Sequence, residues 1–191
     1  MASQLNGYAI VPHSTYNEYR AYCLSHGVNC DRLYGNQCVD TPKLLWWQYG
    51  KSLQTGNGYA YGCWTLRRNQ NAVGPFKLIY NKSDIKRGDI LVFNHHGSYT
   101  AGHICFADED YHGNSYINVL GQNQGQGSGS GKASNIKRWS FTYFLGAFRN
   151  SNWTSVTPTP TPPGPQPGPS PVSDFGHKFP WYLYTNKRKM L

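Results

Sequence analysis

At 191 residues the chain is long enough for one domain with a substantial core, and its low charged fraction (14%) and 21 glycines weigh against a helical bundle and toward a strand- and loop-rich fold. The formal charge of +9 is spread over the whole chain: residues 1 to 150 hold 14 Lys and Arg against 8 Asp and Glu, and the remainder holds 4 against 1. Such a balance calls for a polyanionic partner, an anionic membrane surface or a phosphate-bearing wall polymer among them. Nucleic acid is set aside, because no basic stretch interleaved with aromatics resembles a recognition helix or an RNA-binding strand pair.

The first residues, MASQLNGYAIVPHS, lack both a basic start and a sustained apolar run, so no secretory signal is expected, and no stretch is long and apolar enough to span a bilayer. From His13 to His26 the sequence predicts a helix. Thr15 followed by Glu18 is a capping-box pattern, Tyr16, Tyr19, Tyr22 and Cys23 recur at helical spacing, and Gly27 can end it. After a polar loop, Cys38 opens a second helix, with Pro42 in its first turn, Leu44, Leu45, Trp46 and Trp47 as an apolar stripe, and Gly50 as terminator. Residues 51 to 80 read as irregular, with Cys63 and Trp64 packing inward.

Four short runs rich in β-branched and aromatic residues follow, at 89–93, 103–107, 116–120 and 141–148, joined by short turns that suggest an antiparallel sheet. Helices first and strands second is the α+β pattern. Residues 121 to 135 are too rich in Gly and Ser to be regular and read as a mobile loop beside the sheet. The domain is expected to occupy residues 1–152. A Pro-rich, extended linker (153–172) and an aromatic, basic tail (173–191), too short to fold alone, complete the chain.

Five cysteines, at 23, 30, 38, 63 and 105, are an odd number without paired CxxC spacing, which argues against a disulfide framework and a four-cysteine zinc site. Cys23 and Cys30 flank a turn, and a bridge between them stays open. Cys38 has the placement of a nucleophile, since a helix N-terminus stabilises a thiolate through its unpaired N–H groups and dipole. His103, at the start of a strand, can supply the base, and Asn123, just past the next strand, can orient it. By spacing alone these residues fit equally well a capped buried helix and a hydrogen-bonded core histidine. His95 and His96 read as lining a strand turn and the edge of a substrate cleft, His112 and His177 as solvated, and Cys105 as a core residue facing the same side as His103. Asn29, Asp31, Leu33, Gly35 and Asp40 set oxygen donors on alternate residues, followed by a carboxylate from the helix. Such a loop suits calcium, or is a plain Asx-rich turn.

The segments YGNQCVD (34–40), KRGDILVF (86–93), GHICFA (102–107) and VLGQN (119–123), in that order and covering most of residues 10–150, closely resemble the CHAP family of cysteine- and histidine-dependent amidohydrolases and peptidases. The resemblance implies a papain-like α+β fold, with helices packed on an antiparallel sheet. It also implies cleavage of peptidoglycan, either at the amide joining muramic acid to its stem peptide or within the stem or cross-bridge. It makes Cys38 the nucleophile, His103 the base and Asn123 the third member, with Gln37 and Gln122 as candidate substrate or oxyanion contacts beside the N–H groups of the Cys38 helix. Many members carry a Glu two residues before that Asn, where this chain has Gly121. Some carry calcium in the pattern D-x-D-x-x-Y-G-x-Q-C-x-D, matched here except that Asn29 replaces the first Asp.

With no signal sequence, a Pro-rich linker and a basic surface, the resemblance further implies a bacteriophage lysin, held in the host cytoplasm until released to the wall or carried on the virion tail. The aromatic tail then either begins a wall-binding domain or docks a phage tail protein. A catalytically silent wall-binding module and a structural tail protein on the same scaffold remain open at this point.

Overall fold

The computed structural model describes residues 13–68, 75–125 and 131–153, together with the backbone of 3–5 and 8–10. The expected linker and tail from residue 154 onward, His177 and the tip of the glycine-rich loop lie outside the described residues. A two-stranded hairpin, β1 (Ser3–Leu5) and β2 (Tyr8–Ile10), precedes the first helix.

Helix α1 spans Tyr16–Ser25 and is closed at its start by the expected capping box. The Thr15 hydroxyl accepts the Glu18 N–H at 3.2 Å, and the Glu18 carboxylate accepts the Thr15 N–H at 3.1 Å. Tyr16, Tyr19 and Cys23 are its buried face. Helix α2 spans Asp40–Gln48 and buries Leu44, Leu45 and Trp46. The Tyr19 hydroxyl donates to the Thr41 carbonyl, so α1 grips the first turn of α2. A one-turn helix, α3 (Gly62–Thr65), carries Cys63 and Trp64, both buried as expected.

Six antiparallel strands form the sheet: β3 (Phe76–Ile79), β4 (Ile90–Phe93), β5 (His103–Ala107), β6 (Tyr116–Gly121), β7 (Asn135–Ser140) and β8 (Phe144–Asn150). Their order is β3-β8-β4-β5-β6-β7. The four runs read from sequence correspond to β4, β5, β6 and β8. The two strands not anticipated, β3 and β7, are the two edges. β7 reads NIKRWS, in which Ile136, Lys137 and Arg138 are exposed and Trp139 alone is buried. Charge on an edge strand discourages pairing with another chain, and it also erases the alternation by which a strand is recognised.

Both faces of the sheet are covered. Ile90, Val92, Ile104, Phe106 and Phe148 pack with Tyr16, Tyr19, Leu45, Trp46 and Trp64 of the helices. Leu91, Phe93, Cys105, Ala107 and Val119 face the other way, with Ile85, Trp139 and Phe141. The α+β class and the antiparallel sheet expected from sequence are thus the observed ones.

Candidate active site

The site opens where β5 and β6 part. These strands pair only through Phe106–Leu120 and Ala107–Val119, and the start of β5 and the end of β6 are free to hold other groups. The loop carrying Cys38 enters this gap. Gln122, fully buried, clamps it in place: its Oε1 accepts the Val28 N–H at 2.7 Å, and its Nε2 donates to the Val28 carbonyl at 2.8 Å and to the Gln37 carbonyl at 3.1 Å. By sequence resemblance Gln122 is a candidate substrate or oxyanion contact. Instead its amide is committed to the backbone of the nucleophile loop.

Cys38 is partly exposed and packs against the helix-side core. Helix α2 begins two residues later than expected, with Val39 as N-cap, so the sulfur stands just ahead of the first turn. Desolvation pushes its thiol up to about 11, against the backbone N–H groups of Ile104, Cys38 and Val39, and the nearby Asp40 charge adds to the rise. Near neutral pH Cys38 is therefore a thiol, not the preformed thiolate that helix placement alone suggests. The Ile104 contact matters for geometry: it sets the sulfur beside the residue that follows His103.

His103 is 1% exposed. Desolvation lowers it to about 4, with Lys137 and His96 reinforcing the effect and a hydrogen bond to Gln124 opposing it, so it is a neutral imidazole near pH 7. Trp139 stacks on the ring at 4.3 Å and 22°, and Tyr99 meets it edge-on at 5.9 Å.

The group that orients the ring is Gln124. Its Oε1 lies 3.1 Å from His103 Nε2. Its Nε2 donates to the Gly121 carbonyl (3.2 Å), the Asn135 carbonyl (3.0 Å) and Asn135 Oδ1 (3.1 Å). Two of these acceptors are backbone carbonyls, which cannot donate, so the amide has one orientation. An acceptor must then face the ring, Nε2 carries the proton, and Nδ1 is left as the basic nitrogen.

Asn123, the third member by sequence resemblance, turns away. It sits at φ +55° and donates from Nδ2 to Gln37 Oε1 at 3.4 Å. Gln37 in turn donates to the Tyr34 carbonyl at 2.6 Å.

Gly121 explains the change of partner. A Cβ there would lie 3.0 Å from Gln124 Cδ, 3.2 Å from Gln124 Oε1 and 3.1 Å from Cys105 Cβ. The Gln124 amide fills the space in which a side chain at 121 would start. A Gly three residues before a Gln, at the end of a strand, was the available signal.

Beyond Trp139 and Tyr99 lies a cleft of about 290 Å³, lined also by His96, Lys137, Arg138 and Tyr143. His96 stacks on Tyr143 at 4.3 Å, whereas His95 is exposed and packs on Tyr61. The two rings that contact His103 are thus also a wall of an aromatic and cationic groove.

The loop read as a calcium site is closed by the protein's own groups. Asp40 accepts the Cys30 N–H at 3.0 Å and the Gln37 N–H at 2.6 Å, and Asp31 accepts the Leu33 N–H at 2.9 Å and the Lys43 ammonium at 2.5 Å. Asn29 is neutral, and Asp31 already carries the Lys43 ammonium. Among the described residues no cluster of three or more His, Cys, Asp or Glu is placed to hold a metal, and none of the five cysteines, Cys23 and Cys30 included, is in a disulfide.

Fold and cleft together define an α+β domain with a cysteine and an amide-locked histidine at the splayed end of an antiparallel sheet. No protein-family model matches the chain, and no curated protein matches it significantly in sequence. Among solved structures, the wild-type endolysin LysIME-EF1 is similar with a TM-score of 0.59 at 20% identity, over 73% of this chain and 65% of that one. Ly7917 is aligned at a TM-score of 0.46 and 16% identity, over 72% of this chain and 63% of that one. Ly7917 with the hydrolyzing product of MDP gives 0.42 and 14%, over 70% and 60%. The likeness to LysIME-EF1 is one of fold, and this chain spans less than two thirds of its length.

Proposed function

We propose that this chain is a peptidoglycan hydrolase of the phage-lysin kind, cleaving an amide bond with Cys38 as nucleophile and His103 as base. The observation that carries the reading is the tautomer lock. A buried imidazole is held by Gln124 with its basic nitrogen at Nδ1, on the residue next to the amide that touches the Cys38 sulfur. A fixed basic nitrogen on a strand residue whose next amide touches a thiol is what a general base for that thiol requires. The endolysin fold of LysIME-EF1 supports the substrate class.

In this reading attack and proton transfer occur together, because neither charged partner exists beforehand. The Cys38 proton passes to His103 Nδ1 as sulfur adds to the carbonyl, and the oxyanion is met by N–H groups at the start of α2. The imidazolium then protonates the leaving amine, giving an acyl-thioester. Water attacks this thioester with His103 again as base, releasing a carboxylate and restoring the thiol. The groove lined by Tyr99, Trp139, Tyr143 and Lys137 suits a carboxylate-bearing stem peptide or its amino sugar, and the chain's net positive charge favours approach to an anionic wall.

Zymography on bacterial walls tests the reading: Cys38→Ala is expected to lose clearing entirely while keeping the parent's melting temperature. A Cys38→Ala protein that clears walls as well as the parent removes the thiol mechanism. Binding without clearing by the parent favours a silent wall-binding module. Mass spectrometry of wall digests separates the two bond classes: amidase cleavage leaves muramic acid with a free lactyl carboxylate and a stem peptide that begins at its first alanine, whereas peptide cleavage leaves that alanine on muramic acid and frees an amine further along the stem or bridge.

A further inference from the structure

The loop that resembles a calcium pattern in sequence is held by its own side chains, with a charge pattern that differs from that pattern. Its two ends are tied by Asp40, whose oxygens take the Cys30 and Gln37 N–H groups, and the Cys30 thiol also approaches the Asp40 carbonyl at 3.1 Å. Its middle is tied by Asp31 to Lys43, an ion pair at 2.5 Å whose side chains are only 27% and 16% exposed. Lys43 lies in the first turn of α2, where the helix dipole disfavours a cation. A lysine is stable there because Asp31 faces it. At the same time position 29, where the calcium pattern places a carboxylate, is a neutral Asn. One position of the loop's acidic pattern is thus neutral, and an ammonium from α2 sits on another.

We propose that the Lys43 ammonium is a built-in replacement for calcium in this loop, so that the nucleophile segment is organised without metal. Two unit charges, Asp31 and Asp40, remain beside one ammonium, instead of three beside a divalent ion, so the net charge of the assembly is unchanged at −1. The loop leads directly into Cys38, and Lys43 therefore fixes the approach of the nucleophile through its hold on Asp31. It is a positioning residue and touches no substrate.

The test is thermal and calorimetric and so does not depend on the hydrolytic reading. The full chain is melted in chelator and in millimolar calcium chloride, and titrated with calcium chloride. The expected result is the same melting temperature in both and no saturable heat. Lys43→Met, which keeps the aliphatic stem, is expected to melt about 3–8 °C lower in either buffer. Asn29→Asp/Lys43→Gln restores the acidic pattern and is expected to gain a calcium-dependent rise. A calcium-induced rise or saturable binding in the parent chain overturns the proposal. So does a Lys43→Met protein that melts with the parent, or a double variant indifferent to calcium.

Discussion

Replacing Gln124 by Ala removes the one acceptor on the buried Nε2–H of His103 while leaving the ring, its Trp139 stack and Cys38 in place. An unsatisfied buried donor costs about 1–3 kcal/mol, and here it also lets the ring take the other tautomer, in which Nδ1 is no longer basic. At 1.36 kcal/mol per factor of ten, that range predicts a loss of about 5- to 150-fold in turnover with little change in KM. The assay is steady-state release from a soluble wall fragment, with thermal melting alongside, because Gln124 also binds the Gly121 and Asn135 carbonyls and some stability is lost with them. A second substitution separates positioning from structure. Gly121→Glu alone is expected to be harmful, since its Cβ would crowd Gln124 at 3.0 Å. In combination with Gln124→Ala the crowding by Gln124 is removed, leaving only the Cys105 Cβ at 3.1 Å to give way, and a carboxylate at 121 can take over the ring, so the double variant is expected to be more active than either single one. The reasoning is refuted if Asn123→Ala costs more turnover than Gln124→Ala, or if Gly121→Glu is harmless on its own.

The pH profile follows from the two shifts. Protonation of His103 removes the base as pH falls through about 4, and ionisation of Cys38 removes the proton that must reach the leaving amine as pH rises through about 11, so kcat/KM is expected to be flat between pH 6 and 9. Iodoacetamide should correspondingly alkylate Cys38 slowly at pH 7 and faster toward pH 10; an alkaline activity limb centred below pH 9 would show a preformed ion pair instead. On the stability side, a Cβ at Gly146 would fall well inside van der Waals contact with the Trp64 ring that lies over β8. Gly146→Ala is therefore expected to lower stability by about 1–3 kcal/mol in a urea melt, and an unchanged midpoint would mean that the Trp64 contact yields freely.

What the sequence made legible is what short local patterns encode. The Thr15–Glu18 cap, the apolar stripe of α2 and the alternating runs of the inner strands are each readable in a window of ten residues. Cys38 and His103 are adjacent to such signals, and the structure brings their neighbourhoods together through the Ile104 amide. The edge strands escaped because their side chains answer to solvent more than to the core. The identity of the ring's partner escaped for a different reason. Asn123 and Gln124 are neighbours at the end of β6, and the positive φ at 123 sends one amide to Gln37 and the other to His103. No periodicity distinguishes them.

Both departures from the resembling pattern have the same physical form. Gly121 removes a side chain from beside His103, and Gln124 fills the vacated space with an amide that performs the orienting contact without bringing a charge into a buried site. Asn29 is neutral where the resembling pattern has a carboxylate in the loop ahead of Cys38, and the Lys43 ammonium pairs with Asp31 of that loop, in the place proposed above for a divalent ion. In each case a carboxylate is absent and the compensating group lies elsewhere in the chain, reaching the same spot from a different backbone position. A neutral Gln in place of a carboxylate also lowers the cost of burying a neutral imidazole and raises the cost of the imidazolium, consistent with the low value to which His103 is driven. The concerted proton transfer proposed for Cys38 is then a consequence of the Gly121–Gln124 exchange: take away the charge that would have held a preformed imidazolium, and the thiol has to keep its proton until the substrate carbonyl arrives.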